Sequence, residues 1–198
     1  MAKLFFKYGT MGSTKTLTLL TMAYNFEEKN INFMCFKPSI DKRDGENIIK
    51  SRVGFERECS VIHDYSDIYQ SVVDFISLME ATLNYNPIKW LLIDESQFLT
   101  KEHVDQLSKI VDELDINVMC FGLRTDFKSN LFEGSKRLFE IADSIEEIKT
   151  SCKCGSKAII NARVENNKII KEGEQIKIGG NESYVSMCRK CWNKNNLK

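Results

Sequence analysis

The sequence predicts an α/β protein, an open parallel sheet with helices on both faces and a small metal-held unit appended to it. Three observations carry this. Strand-length runs that are apolar but for Asn32 and Asn117, at residues 31–36, 90–93 and 116–121, alternate with segments of helical period. Strands buried on both faces read in this way, and crossover helices between parallel strands bury them so. The chain also opens in the order strand, glycine-containing loop, Lys15-Thr16, helix. From about Ile148 onward, finally, turn residues and cysteines replace the long periodic segments. Two units are therefore expected, 1–147 and 148–198, the second too small to build a large core unaided.

Each element follows from local pattern. Residues 1–8 form the first strand. Residues 15–28 form a helix with Leu17, Leu20 and Tyr24 at helical spacing, closed by the polar turn Glu27-Glu28-Lys29-Asn30. A second strand at 31–36 is stopped by Pro38, and a charged loop runs to about residue 58, with Arg43, Arg52 and Arg57 either solvated or facing phosphates. Ile68, Val72, Phe75, Ile76, Met79 and Leu83 mark an amphipathic helix closed near Asn86-Pro87. The apolar run from Trp90 ends in Asp94-Glu95, as a central parallel strand would. Thr100 caps the next helix, whose buried face is Val104, Leu107, Val111 and Leu114, with His103 exposed in its first turn and given no role. Residues 116–121 form a further buried strand. Ligands of such sheets bind beyond the carboxyl ends of the strands, where Gly9, Asp94-Glu95 and Gly122 all fall.

Composition removes several function classes. Lys+Arg and Asp+Glu both number 28, so no basic excess favours a nucleic acid. No apolar run has membrane-spanning length and no signal-peptide pattern opens the chain, so a cytoplasmic protein with no membrane partner is expected. Seven cysteines in such a chain do not read as disulfides. Cys35 and Cys120, inside strand-like runs, read as small buried hydrophobes.

Three constellations carry chemistry. The loop Gly9-Thr10-Met11-Gly12-Ser13-Thr14-Lys15-Thr16 has the order of a phosphate-binding loop. Its backbone N–H groups and the helix N-terminus suit phosphate, Lys15 reaches the outer phosphates, and the Thr16 hydroxyl ligates Mg²⁺. Thr14 stands where the usual pattern has its second glycine, and relief of strain by Thr14→Gly is expected to tighten ATP by up to roughly tenfold. Asp94 is the matching Mg²⁺ partner, and Glu95 can face an acceptor and take a proton from its hydroxyl. Cys152, Cys154, Cys188 and Cys191 form two thiol pairs suited to a structural Zn²⁺. Between them, the stretch 172–184 reads as a plain β-hairpin.

Taken together, Gly9–Thr16, Asp94-Glu95-Ser96-Gln97-Phe98, Gly122-Leu123-Arg124-Thr125-Asp126-Phe127, the paired cysteines and the Ile178-Gly179-Gly180 block resemble the type II (cellular-type) thymidine kinase family, its bacterial branch in particular. The match runs in order from residue 3 to residue 192. The resemblance implies a P-loop, RecA-like α/β domain and a small zinc-binding lasso domain that closes over thymidine, in a homotetramer subject to feedback inhibition by dTTP. It implies Glu95 as general base, with Lys15, Thr16, Asp94 and Gln97 at ATP and Mg²⁺, and Asp41 and Arg43 near the phosphates. Phe127 would stack on the base, while Met11, Phe98, Leu123 and Phe132 line the pocket. Gln175, Ile176, Lys177, Ile178, Gly179 and Tyr184 would belong to the lasso that reads the thymine edge. Two other readings stay open on residues alone, a RecA-like ATPase acting on nucleic acid and a non-catalytic nucleotide- and zinc-binding module.

Overall fold

A computed structural model describes residues 1–82, 85–176 and 183–197. The elements in chain order are β1 (Leu4–Tyr8), α1 (Lys15–Glu28), β2 (Asn32–Pro38), β3 (Ile48–Lys50), β4 (Glu56–Glu58), β5 (Ser60–Ile62), α2 (Ile68–Glu80) and β6 (Ile88–Ile93). A 3-10 turn (Ser96–Phe98), α3 (Lys101–Leu114), β7 (Asn117–Gly122), α4 (Glu133–Ile141) and β8 (Ser144–Glu147) complete the larger part. The remainder holds β9 (Ile160–Glu165), β10 (Lys168–Ile170), β11 (Tyr184–Met187) and α5 (Arg189–Asn193).

Six strands form one sheet in the order β5-β2-β6-β7-β1-β8, every pair parallel. Both faces are buried, and neighbouring residues alternate between them. Leu91, Ile93, Val118 and Cys120 join a core packed by α2, α3 and α4. Leu92, Met119, Phe121 and Cys35 face α1 instead, against Leu19, Leu20 and Ala23. Two-sided burial explains why these strands are apolar without alternation. Cys35 and Cys120 are buried among apolar side chains, as expected.

Several expectations are corrected. Helix α1 buries Leu19, Leu20 and Ala23, while Tyr24 is exposed; its phase is fixed by Lys15, which must turn into the loop, so Leu19 one turn later meets the sheet. Helix α2 ends at Glu80, short of Leu83, which lies outside the described residues. The charged loop contains the antiparallel pair β3–β4 and then β5, a sheet edge. Strand β8, on the other edge, and helix α4 carry too little apolar periodicity to stand out.

His103 is only 3% exposed rather than free in solvent. It completes a capping box: the Thr100 hydroxyl accepts from His103 N at 3.1 Å, and His103 Nδ1 accepts from Thr100 N at 3.4 Å. Burial lowers the pKa of its imidazole, which suits the acceptor role.

Beyond β8, the antiparallel sheet β10-β9-β11 packs on its own cluster of Cys152, Ala158, Ala162, Met187, Cys188 and Cys191. Among the described residues of 172–184, the expected hairpin is not seen. Strand β11, which begins at Tyr184, pairs with β9, and residues 171–176 carry no strand. Residues 177–182 lie outside the described residues.

Candidate active site

The loop between β1 and α1 is built by close approach. A Cβ on Gly9 would stand 2.4 Å from Ser13 Oγ and 2.5 Å from the Ile148 carbonyl oxygen, so only glycine fits. Gly9 N donates to the Gly122 carbonyl at 3.2 Å, which ties the loop to the end of β7. Gly12 and Thr14 both take positive φ, +77° and +63°. Thr14 is the N-cap of α1 in the left-handed region, its hydroxyl donating to the Ser13 carbonyl at 2.6 Å. The loop thus follows the path a glycine would, at the steric cost a β-branched residue meets there.

Lys15 is folded back into the loop. Its Nζ donates to the Thr10 carbonyl at 2.9 Å and lies 3.4 Å from both the Gly9 carbonyl and Ser13 Oγ. Burial lowers its pKa to about 8, against the opposing pull of Glu95 and Asp94. Thr16 Oγ1 donates to Asp94 Oδ2 at 3.0 Å. Asp94 follows directly on β6 and is buried, and burial reinforced by the Glu95 charge raises its carboxyl pKa to about 7. A hydroxyl and a carboxylate held together beside a buried lysine fit a divalent cation bound with phosphate, because that cation would relieve the crowding of Asp94 and Glu95.

Glu95 adopts a left-handed backbone, φ +50°, immediately after the strand end. Such strain in a non-glycine residue gathers at functional sites. Arg43 Nη2 donates to Glu95 Oε1 at 2.5 Å and Gln97 Nε2 to Glu95 Oε2 at 2.5 Å. Gln97 Oε1 accepts in turn from Leu123 N at 2.9 Å, and Arg43 also grips Asp41 through Nε at 2.6 Å. Burial opposes ionisation of Asp41, yet the Arg43 guanidinium holds its carboxyl below the ordinary range. Asp41, Arg43 and Gln97 thus act on Glu95 rather than standing free beside the loop.

These groups border a cavity of about 520 Å³. Met11 to Thr16, Arg43 and Glu95 form one end. Phe98, Leu123, Phe127, Phe132, Gln175, Ile176 and Tyr184 border it too, so the pocket residues named from sequence are brought together. Phe98 and Phe132 meet edge to face at 5.8 Å between centroids. Gln175 Nε2 donates to Asp126 Oδ2 at 3.1 Å, joining residue 175 to the loop that carries Phe127. Lys177, Ile178 and Gly179 lie outside the described residues. Of the three loop arginines, Arg52 borders the cavity, whereas Arg57 pairs with Glu27 at 2.7 Å, outside it.

Four contributors were not anticipated. Asn161 on β9 accepts from Met11 N at 2.7 Å and donates to the Thr125 carbonyl at 3.2 Å. Ser186 on β11 donates to the Met11 carbonyl. Together they hold both ends of the Met11 residue, so the smaller sheet is bolted to the phosphate-type loop. Asp126 and Arg163 are the other two.

The sulfurs of Cys152, Cys154, Cys188 and Cys191 all lie within 4.8 Å of one another, with Cys154 and Cys188 Sγ 3.7 Å apart. Four thiolates on one tetrahedral zinc at ~2.3 Å would stand ~3.8 Å apart, so number, type and spacing of donors fit that metal. Both thiols of the tight C-x-C pair take part. Cys191 N also donates to Cys188 Sγ at 3.4 Å, as backbone at a metal-holding turn does.

Comparison with known proteins decides among the readings. A family model described as thymidine kinase matches residues 2–192. The chain belongs to the thymidine kinase family. A thymidine kinase of Streptococcus pyogenes serotype M3 (strain ATCC BAA-595 / MGAS315) is 47% identical over 191 residues, 96% of each chain. The thymidine kinase of Pasteurella multocida (strain Pm70) is 44% identical over 190 residues, 96% of this chain and 95% of its own. That of Streptococcus gordonii (strain Challis) is 45% identical over 191 residues. The parallel sheet, the glycine loop and the four-cysteine cluster in this thymidine kinase family member therefore serve a phosphotransferase scaffold.

Thr14 holds φ +63° at the N-cap of α1, where the sequence expected strain. Thr14→Gly is expected to stabilise the chain by on the order of 0.5–1 kcal/mol, the left-handed penalty less the added backbone entropy. The tightening of ATP by up to roughly tenfold expected from sequence is read on the same pair of proteins. Thermal melts and ATP kinetics on both proteins check this. An unchanged melting temperature with a tenfold lower KM would instead place the strain in the bound loop.

Proposed function

We propose that the chain transfers the γ-phosphoryl group of ATP to the 5′-hydroxyl of thymidine, giving dTMP, with Glu95 as the general base. The observation that carries the reading is one cavity bordered by Lys15 and Thr16, by Glu95, and by the aromatic wall of Phe98, Phe127 and Phe132. Phosphate-handling, proton-accepting and base-holding groups meet there within the reach of one nucleoside.

The chain's residues divide the work. Gly9 to Ser13 offer backbone N–H groups to the phosphates, and Lys15 exchanges its carbonyl partners for phosphate oxygens. Thr16 and Asp94 would hold Mg²⁺, which when bound neutralises charge on the β- and γ-phosphates. Phosphoryl transfer needs positioning and charge neutralisation above all. Glu95, fixed by Arg43 and Gln97, accepts the proton of the 5′-hydroxyl as its oxygen attacks phosphorus and ADP leaves. Asp41 keeps Arg43 in place, so its charge remains beside the reacting centre. Phe127 stacks on the base, and Met11, Phe98, Leu123 and Phe132 exclude water around it. Gln175, Ile176 and Tyr184 border the base as the described part of a strap.

The same reading takes residues 1–147 as the P-loop domain and 148–198 as the lasso domain held by Zn²⁺ on the four cysteines. It also takes the protein as a cytoplasmic homotetramer inhibited by dTTP, with no nucleic-acid or membrane partner. Balanced charge agrees, and no described helix is long and apolar enough to cross a membrane.

Kinetics with thymidine and deoxycytidine test the assignment. A strap that bonds the thymine N3–H and carbonyls leaves buried groups unpaired against cytosine, whose donor–acceptor pattern is partly reversed. The kcat/KM for deoxycytidine is expected to be roughly 10²–10⁴-fold lower. Equal values would overturn the reading.

A further inference from the structure

Arg163 on β9 is 4% exposed, yet none of its partners among the described residues is a carboxylate. Burying a guanidinium whose described partners are all neutral is costly, so its contacts ask for a purpose. Its partners are specific. The guanidinium carbon stands 3.9 Å from the centroid of the Phe127 ring. Nη1 donates to the Glu174 carbonyl at 3.0 Å and Nη2 approaches the Gln175 carbonyl at 3.5 Å. Nε and Nη2 both donate to the Tyr184 hydroxyl, at 3.2 and 2.9 Å. One planar head thus touches the aromatic wall of the cavity and both described ends of the strap.

Phe127 borders the cavity and Arg163 does not. The guanidinium lies over the ring of a residue that borders the cavity, without bordering it itself. We propose that Arg163 is a positioning residue for nucleoside recognition, fixing the Phe127 ring and the strap on either side of it in the register that accepts the base. It touches no substrate itself. A lysine cannot replace it fully: a point ammonium can meet one or two of these acceptors but cannot lie flat on the ring while spanning all three. The inference rests on the reading of Phe127 as the base-stacking ring, and the experiment keeps the two separable.

Steady-state kinetics on Arg163→Lys and Phe127→Leu, each checked for metal content and melting temperature, make the test. Arg163→Lys is expected to raise the thymidine KM about tenfold while kcat at saturating thymidine and the ATP KM stay within about twofold. A merely structural role would lower the active fraction, and so kcat, without splitting the two KM values. Arg163→Gln removes the buried charge and is the safer variant for folding; it should show the same split, more strongly. An unchanged thymidine KM in folded Arg163 variants overturns the proposal. If Phe127→Leu nonetheless raises that KM, the positioning role alone fails. If Phe127→Leu also leaves it unchanged, the stacking role of Phe127 fails with it.

Discussion

Replacing Glu95 by glutamine is expected to lower kcat by roughly 10²–10⁴-fold, the usual contribution of a general base, while thymidine affinity changes by only a few-fold. Glutamine keeps the shape of the side chain and cannot take the proton. Its neighbours explain the small binding effect. Glu95 accepts from Arg43 on one oxygen and from the Gln97 amide on the other. An amide at position 95 can accept with only one of these two atoms, so Gln97 or Arg43 must reorient. Gln97 is itself bonded to Leu123 N, and a slight shift of the Leu123 segment at the pocket wall follows. Steady-state rates at saturating ATP, with thymidine binding measured separately by calorimetry, check both parts. A variant retaining more than about a tenth of wild-type kcat would remove Glu95 from the role of base.

The sequence made the central strands legible because the middles of β2, β6 and β7 are buried on both faces and run apolar, with Asn32, Lys37, Lys89 and Asn117 toward the strand ends. It concealed β5 and β8 for the opposite reason. They are edges of three and four residues, and β8 reads Ser-Ile-Glu-Glu, which no periodicity distinguishes from a loop. The Gly9–Thr16 loop and Asp94-Glu95 were readable because each depends on residues adjacent in the chain. Arg163, Asn161 and Ser186 were not, because their roles arise from distant contacts: Asn161 reaches Met11 and Arg163 reaches Phe127 only once β9 is docked. His103 misled in a similar way. A polar residue in a first helical turn reads as exposed, and only the packing beside Ser66 and Asp64 buries it.

Loss of the metal should separate the two halves of the site. The smaller sheet has a core of few residues, three of them cysteines, so a zinc held by the four thiolates would contribute much of its folding energy. That sheet holds Met11 through Asn161 and Ser186, and it supplies Tyr184 to the cavity and Arg163 behind it, bonded to the Tyr184 hydroxyl. The phosphate loop itself is anchored in the six-stranded sheet through Gly9 and Gly122. Cys191→Ser is therefore expected to reduce bound zinc and to weaken thymidine by more than about tenfold, or ~1.4 kcal/mol, with the larger sheet still folded.

One cavity is built jointly: the parallel-sheet part supplies Met11 to Thr16, Glu95 and the wall of Phe98, Phe127 and Phe132, and the smaller, cysteine-rich sheet supplies Asn161 and Tyr184. The most direct test is to measure zinc content, ATP binding and thymidine binding on the same preparations of wild type and Cys191→Ser. The account predicts about one zinc per wild-type chain on four thiolates, and in the variant a loss of thymidine affinity far larger than the loss of ATP affinity. Wild-type protein without zinc and with all four thiols freely titratable, or thymidine affinity indifferent to Cys191→Ser, would contradict it.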